Sequence, residues 1–355
     1  MDELELRELI AAIQGGELSV DGALSRLRGG AVRRVAAAEA VHAGDEFARI
    51  RELAKLFATD SEAVQLGIGD DAAVLRPQAQ PLVLSVDVAV EGVHFDRAFL
   101  SWAQVGARAM TAAVSDLAAM GARPLAALCS LVAPPLSEDD FLALHAGIAR
   151  AARDYACPVI GGNLASGAQL SLSTTVIGTV QGQGLYRNGA RAGDEIYVTG
   201  PLGSAALGLK LLQLLAATAE GAPFVDAWRA PRARIEQGLA LCGRATSAVD
   251  VSDGALADLG HICEASQLGA IIEAERIPLA PGMAELARKL GADPLQLALS
   301  GGEDYELIYT LPPGAADPAN GTRIGHMLNA HGTVQVIDAR GQTIELSTRG
   351  YQHFR

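Results

Sequence analysis

The chain reads as a series of short apolar runs, many of them closed by an acidic residue that Gly or Ser flanks. The apolar stretch 82–90 has the length of a strand, and residues 102–120 place Val105, Ala109, Ala112 and Leu117 at helical spacing. A strand follows near 125–132, then a helix over 137–155. Strand 171–180 alternates Leu172, Thr174 and Val176 with polar or small residues, as a sheet with one buried face requires. After a turn region over 182–194 come strand 195–199, a helix opening at Gly203-Ser204, a helix with Pro231 near its first turn, strand 247–252, helix 254–267 and strand 305–310. Segments 218–223 and 314–321 read as loops. Upstream, residues 2–14 and 20–42 read as two short helices joined by Gly15-Gly16-Glu17-Leu18-Ser19, with Ser19 as N-cap. The pattern predicts an α/β (α+β) protein in three parts: a helical extension over 1–44 that serves packing or oligomer contact, a first domain over 45–182 and a second over 183–355.

Composition narrows the class. At 355 residues the chain can bury two substantial cores, and with half of it apolar but only 4% aromatic those cores are built from Ala, Leu, Val and Ile. The 39 glycines exceed the usual share of about 7%. Against 41 acidic residues stand 28 basic ones; the net charge of -13 argues against nucleic acid or an anionic membrane as the main partner. The four cysteines, Cys129, Cys157, Cys242 and Cys263, form no CxxC pair, which suggests neither a zinc site nor a disulfide framework. The chain opens with Asp2, Glu3 and Glu5, and no apolar run approaches the roughly 20 residues that span a bilayer, so the expectation is a cytoplasmic protein.

The acids carry the chemistry. Gly69-Asp70-Asp71, Ser85-Val86-Asp87, Ser115-Asp116, Asp250-Val251-Ser252-Asp253 and Gly301-Gly302-Glu303-Asp304 each place carboxylates at the edge of an apolar run, where they can supply oxygen ligands to Mg2+ around phosphates. Asp116 is the only acid in its Ala- and Leu-rich helix. A buried, unpaired carboxylate costs several kcal/mol, and a metal removes that cost. Taken singly, each acid could equally be a cap or a turn residue, and Asp253-Gly254 directly precedes a helical run. Gly67-Ile-Gly69-Asp-Asp-Ala72 formally matches a dinucleotide fingerprint, but two carboxylates in the turn would repel a pyrophosphate, and Ala-Val-Leu-Arg-Pro after it reads as a strand. No P-loop motif occurs.

In order along the chain, Gly67-Ile-Gly-Asp-Asp71, Ser85-Val-Asp87-Val-Ala-Val-Glu-Gly-Val-His94-Phe95, Ser115-Asp-Leu-Ala-Ala-Met-Gly-Ala-Arg-Pro124, Gly161-Gly-Asn163, Gly189-Ala-Arg-Ala-Gly-Asp194, Asp250-Val-Ser-Asp-Gly254, Ser300-Gly-Gly-Glu-Asp-Tyr-Glu306 and Gly350-Tyr-Gln-His-Phe354 resemble the thiamine-monophosphate kinase family. That family belongs to the ATP-using superfamily of aminoimidazole ribonucleotide synthetase and selenophosphate synthetase. The resemblance spans residues 45–355 and implies a two-domain synthetase-like fold whose N-terminal sheet domains pair in a homodimer. It implies ATP as co-substrate, several Mg2+ ions, and phosphorylation of thiamine monophosphate to thiamine diphosphate. Carried over by position, Asp71, Ser85, Val86, Asp87, Asp116, Asp250 and Asp253 match metal-site positions; Gly162, Arg187 and Ser252 match nucleotide contacts; His94, Glu303 and Tyr351 match positions that hold thiamine phosphate.

The chemistry such an enzyme faces is the approach of two polyanions, with an acceptor that is already anionic; it needs cations and positioning and no covalent nucleophile. Two positions depart from the family pattern. Asn163 stands where an Asp is usual, and its amide can ligate Mg2+ or face the nucleotide but brings no charge; Val86 replaces a Thr, which matters little where only the backbone carbonyl meets metal. Two other functions fit the same residues: a related ATP-dependent enzyme with another phosphate acceptor, and a non-catalytic sensor of nucleotide or thiamine phosphates acting through residues 1–44.

Overall fold

A computed structural model describes residues 46–351 apart from 217 and 349; the two expected N-terminal helices and the end of the terminal motif, Gln352 to Phe354, lie outside the described residues. Helix α1 (Glu46–Leu56) leads to a small antiparallel ribbon of β1 (Val64–Leu66) and β2 (Val74–Leu75). Between them Gly67 to Asp71 forms a turn, and because a strand rather than a helix follows, the dinucleotide fingerprint is a chance match.

The next elements are β3 (Leu82–Val90), α2 (Trp102–Ala119), β4 (Arg123–Ala133), α3 (Glu138–Asp154), β5 (Val159–Ser166) and β6 (Ser171–Thr179). They build a four-stranded sheet in the order β3-β6-β4-β5, antiparallel except for β4 with β5. The helices start where the sequence offers caps. Ser101 accepts from Gln104 N at 3.3 Å while Gln104 Oε1 accepts from Ser101 N at 2.8 Å, and Ser137 caps α3 through Asp140 N at 3.1 Å. Helices α2 and α3 cross where each presents a glycine: a Cβ on Gly147 would lie 1.9 Å from Ala103 O, and one on Gly106 would lie 2.1 Å from Leu144 O. The helix-side face of the sheet is buried through Leu172, Thr174 and Val176. The opposite face leaves Leu82, Leu84, Val86 and Val88 of β3 exposed, Leu84 at 64% and Val86 at 62%.

The second half runs β7 (Glu195–Val198), α4 (Ser204–Gln213), α5 (Ala222–Arg229), α6 (Ile235–Leu241), β8 (Ser247–Asp250), α7 (Ala255–Ser266), β9 (Gly269–Glu273), α8 (Met283–Lys289), α9 (Pro294–Ser300), β10 (Leu307–Leu311), β11 (Thr322–Leu328) and β12 (Val334–Ile337). Its six strands pair in the order β12-β9-β11-β7-β10-β8, antiparallel except β12 with β9. The sequence pattern missed β1, β5, β9, β11 and β12. The proline in a first helical turn is Pro223 of α5, not Pro231, which lies in the connection between α5 and α6. Ala230 before it takes φ -137° and ψ 61°, the non-helical geometry that a following proline favours.

The described residues from 50 to 351 belong to one compact unit. Helix α2 packs on β3 and β6 of the first sheet and reaches β8 and α6 of the second half, so one helix contacts both sheets. Among the described residues no helix is long and apolar enough to cross a membrane.

Candidate active site

The contact of α2 with β3 and β8 puts acids from three separate segments into one cluster. Asp116 sits in the last turn of α2, and Ser85 of β3 donates from Oγ to its Oδ2 at 2.5 Å. Asp87 lies two residues further along β3, on the same face as Ser85, because side chains two apart in a strand share a face. Ser115, next to Asp116, donates to Asp250 Oδ2 at 2.7 Å, and Asp250 is the last residue of β8. Burial pushes the Asp116 carboxyl above its ordinary range; the Ser85 hydrogen bond opposes that, Asp87 adds to it and Arg187 draws it back. Asp250 is more extreme: burial first and the Asp116 charge second raise it to about 7, with Ser115 and Arg187 opposing. Among the described residues the cation that acts on both carboxyls is Arg187, on the exposed segment joining the two halves. The cluster has more negative charge than its protein surroundings neutralise.

Beyond β8 the chain turns through Ser252 and Asp253 into α7. Asp253 does not cap this helix; Gly254 occupies the N-cap, at φ +123°, and a Cβ there would lie 2.9 Å from Ser300 O. The carboxylate that satisfies the loop is Asp258, which accepts from Ser252 N at 3.1 Å, Asp253 N at 3.2 Å and Gly254 N at 3.0 Å. Burial and the Asp250 and Asp253 charges raise Asp258 to about 8, against those three donors. Sequence reading passed over Asp258, although its place in the first turn of α7, four residues past a glycine, is a capping signal.

The same loop docks the other motif segments. Glu303 N donates to Ser252 O and Tyr305 N to Val251 O, both at 2.9 Å, and a Cβ on Gly302 would lie 2.2 Å from Ser252 O, so Gly302 is needed for this backbone approach, while Gly301 makes room for Leu297 O, 2.3 Å from where its Cβ would lie. Tyr351, half exposed, donates its N–H to Asp253 O at 3.0 Å. Glu303 takes φ +69° and Tyr305 φ +51°, which non-glycine residues adopt at a cost of about 1–3 kcal/mol. Side-chain anchors hold them there. Arg108 of α2 ion-pairs with Glu303 Oε1, Trp228 Nε1 donates to Glu303 Oε2 at 2.7 Å, and the Arg108 guanidinium stacks 4.6 Å from the Trp228 ring centroid. His94 accepts from Val90 N at Nδ1, 3.0 Å away, so the neutral ring carries its proton on Nε2. A pocket lined by Asp87, His94, Arg108, Glu303 and Tyr305 thus joins the acid cluster to the His94 and Glu303 positions.

Three expected positions lie apart from this. Asp71 is exposed in the turn between β1 and β2, its N–H bonded to Asp70 Oδ1 at 2.8 Å. Asn163 and Val86 belong to the opposite face of the sheet from Asp87: Asn163 pairs with Ser130 and hence with Ser173 and Val88, whereas Asp87 pairs across Thr174 and Cys129 to Gly162. Gly162 is at the far edge of that row, and a Cβ there would lie 1.7 Å from Cys129 O. Among the described residues no three His, Cys, Asp or Glu side chains stand close enough together to hold a metal ion unaided. The donor chemistry still suits Mg2+: hard oxygen ligands, an excess of negative charge, and raised carboxyls that a cation would discharge, with phosphate and water completing an octahedron.

Two family models match the chain: the AIR synthase related protein N-terminal domain over residues 69–180 and the corresponding C-terminal domain over 191–321. The thiamine-monophosphate kinase of Escherichia coli (strain K12) is 39% identical over 310 residues, covering 82% of this chain and 92% of that protein. Among solved structures, the thiamine-monophosphate kinase of Stenotrophomonas maltophilia K279a superposes with a TM-score of 0.74 at 36% identity, covering 84% of this chain and 96% of the other. AaThiL complexed with AMPPCP and TMP superposes at 0.72 with 32% identity, covering 87% and 97%. The two AIR-synthase-type domains, in sequence and in fold, together with these relatives over most of the chain, show that it belongs to the thiamine-monophosphate kinase family.

Proposed function

We propose that this protein transfers the γ-phosphoryl group of ATP to the phosphate of thiamine monophosphate, giving thiamine diphosphate and ADP in one in-line step. An acceptor phosphate oxygen forms the new bond to the γ-phosphorus as the bond to the β,γ-bridging oxygen breaks, and no protein nucleophile intervenes. The observation that carries the reading is the meeting of the Asp87, Asp116 and Asp250 cluster with the pocket of His94 and Glu303, since this reaction needs a cation-collecting site beside an acceptor site.

Asp87, Asp116 and Asp250 would hold Mg2+, with Ser85 and Asp253 beside them and Asp71 reaching in from its exposed turn. Bound Mg2+ supplies the positive charge that lets two sets of phosphates approach and stabilises charge on the transferring group. Arg187, whose charge acts on Asp116 and Asp250, would add a cation on the nucleotide side, and Ser252 would contact the nucleotide. Glu303, held by Arg108 and Trp228, and His94, fixed by Val90 N, orient the acceptor; Tyr351 offers an aromatic face to a cationic thiazolium ring. The exposed apolar face of β3 is the surface proposed to pair in a homodimer, and the compartment proposed is the cytoplasm.

Incubation of the purified protein with thiamine monophosphate, ATP and MgCl2 is expected to yield thiamine diphosphate and ADP in equal amounts. ATP binding without thiamine diphosphate would overturn the assignment.

A further inference from the structure

Arg108 lines two cavities. One is the substrate pocket; the other is larger, about 890 Å3, within the range of small-molecule sites. Its walls are α2, the end of α3, the start of β4, the connection from Ala230 to Arg234 and the start of α6. In a chain with a net charge of -13 this cavity collects five guanidinium groups, Arg108, Arg123, Arg150, Arg232 and Arg234, against the carboxylates of Asp154 and Glu236.

The five fall into two sets. Arg123, Arg150 and Arg232 are exposed and have no ion-pair partner among the described residues, although Asp154 and Glu236 line the same walls. Arg108 and Arg234 are engaged, and both with the same motif: Arg108 with Glu303, and Arg234 with Glu306, whose Oε2 accepts from Arg234 Nε at 2.8 Å. Tyr155 adds a wall fixed by its hydroxyl, 3.2 Å from Thr111 Oγ1 and accepting from Ala233 N at 3.0 Å. Guanidinium forks pair bidentately with phosphate oxygens, and several forks around one concavity suit a group with more than one phosphate.

We infer that this cavity binds a pyrophosphate-bearing anion and that its occupancy is felt in the substrate pocket through Arg108 and Arg234. An anion there competes with Glu303 and Glu306 for the two guanidinium groups. Loosening Glu303 lowers affinity for the acceptor, and linkage makes the acceptor weaken the anion by the same factor. The effect on acceptor affinity rests on the function proposed above; the binding itself does not.

The test is calorimetric titration of inorganic pyrophosphate, ATP and thiamine diphosphate into the full chain in EDTA, where the acid cluster repels anions and the arginine cavity does not. One saturable site is expected, weakened at least tenfold in the exposed-position double variant Arg150→Gln/Arg232→Gln. Equal affinity for the three ligands assigns recognition to the shared pyrophosphate, and a tenfold preference for one identifies the nucleoside or thiamine moiety as a further contact. Absence of saturable binding, or equal affinity in the double variant, overturns the site. A second readout is Trp228, stacked on Arg108: with Trp102→Phe removing the other tryptophan, pyrophosphate is expected to shift the remaining emission, and saturable binding with unchanged emission overturns the coupling while leaving the site.

Discussion

Asp250→Asn separates the charge of the acid cluster from its packing. Asp250 is buried, and its carboxyl rises from the ordinary 3.8 to about 7, because burial and Asp116 disfavour the charged form. A carboxyl that holds its proton more tightly folded than unfolded makes the fold most stable at low pH, and that stability is lost as pH rises through about 7. Each pH unit in that window costs about 1.4 kcal/mol, so between pH 5.5 and pH 8 the parent loses about 2 kcal/mol through this group. The asparagine keeps an oxygen for Ser115 Oγ and does not titrate. Other groups with raised carboxyls, Asp116, Asp258 and Asp304, titrate in both proteins and largely cancel; the charge that Asp250 exerts on Asp258 adds to the difference. Urea unfolding in EDTA at the two pH values should show a parent slope steeper than the variant's by about 2 kcal/mol. MgCl2 at pH 8 should restore most of the parent's loss and leave the variant unchanged. Equal pH slopes in the two proteins would refute the view that this cluster holds uncompensated charge.

Three further outcomes are expected. Asp116→Asn should lower turnover by about 10²-fold or more with unchanged circular dichroism, as removal of a charge-stabilising group does; near-normal turnover would remove Asp116 from the metal site. Asn163→Asp should leave the Mg2+ requirement unchanged, because its side chain is on the opposite face of the sheet from Asp87, and a lowered requirement would show that the residue does reach the metal. Gly147→Ala puts a Cβ 1.9 Å from Ala103 O and should cost about 1–3 kcal/mol in urea unfolding despite the gain in helix propensity, whereas an unchanged midpoint would mean that α2 and α3 can part freely.

What the sequence shows of the fold follows how strongly each segment is patterned. Strand β6 alternates buried with half-buried residues, and helix α2 is long enough for its helical spacing to show, so both are written in the chain. Strand β5 was invisible because Gly161 and Gly162 weaken a strand pattern, and here they serve close approach to β4. The short strands β9, β11 and β12 pair only after residues far apart come together, and five, seven and four residues give a period too little length to declare itself. Arg108 and Trp228 were unreadable for a related reason: an arginine in a helix and a tryptophan 120 residues later carry no local mark of meeting at Glu303.

The acid clusters themselves need a finer reading than the sequence allowed. In the run from Ser300 to Glu306 three carboxylates stand within four residues, and they point to three different partners. Glu303 faces Arg108, Trp228 and the pocket it shares with Asp87 and His94. Asp304 turns away to accept from Gly203 N at 2.5 Å and Ala205 N at 3.0 Å, capping α4 from a hundred residues downstream. Glu306 takes Arg234 and the Thr199 hydroxyl, the latter at 2.5 Å. Two of the three acids therefore brace the backbone, and they do so on either side of Tyr305, which the chain holds in the left-handed region. Strain of that kind persists only where the surroundings over-determine it. The density of acids in this run thus records the anchoring that the strained turn demands as much as ligand chemistry, and of the three only Glu303, which lines the pocket together with its partner Arg108, is placed to do both.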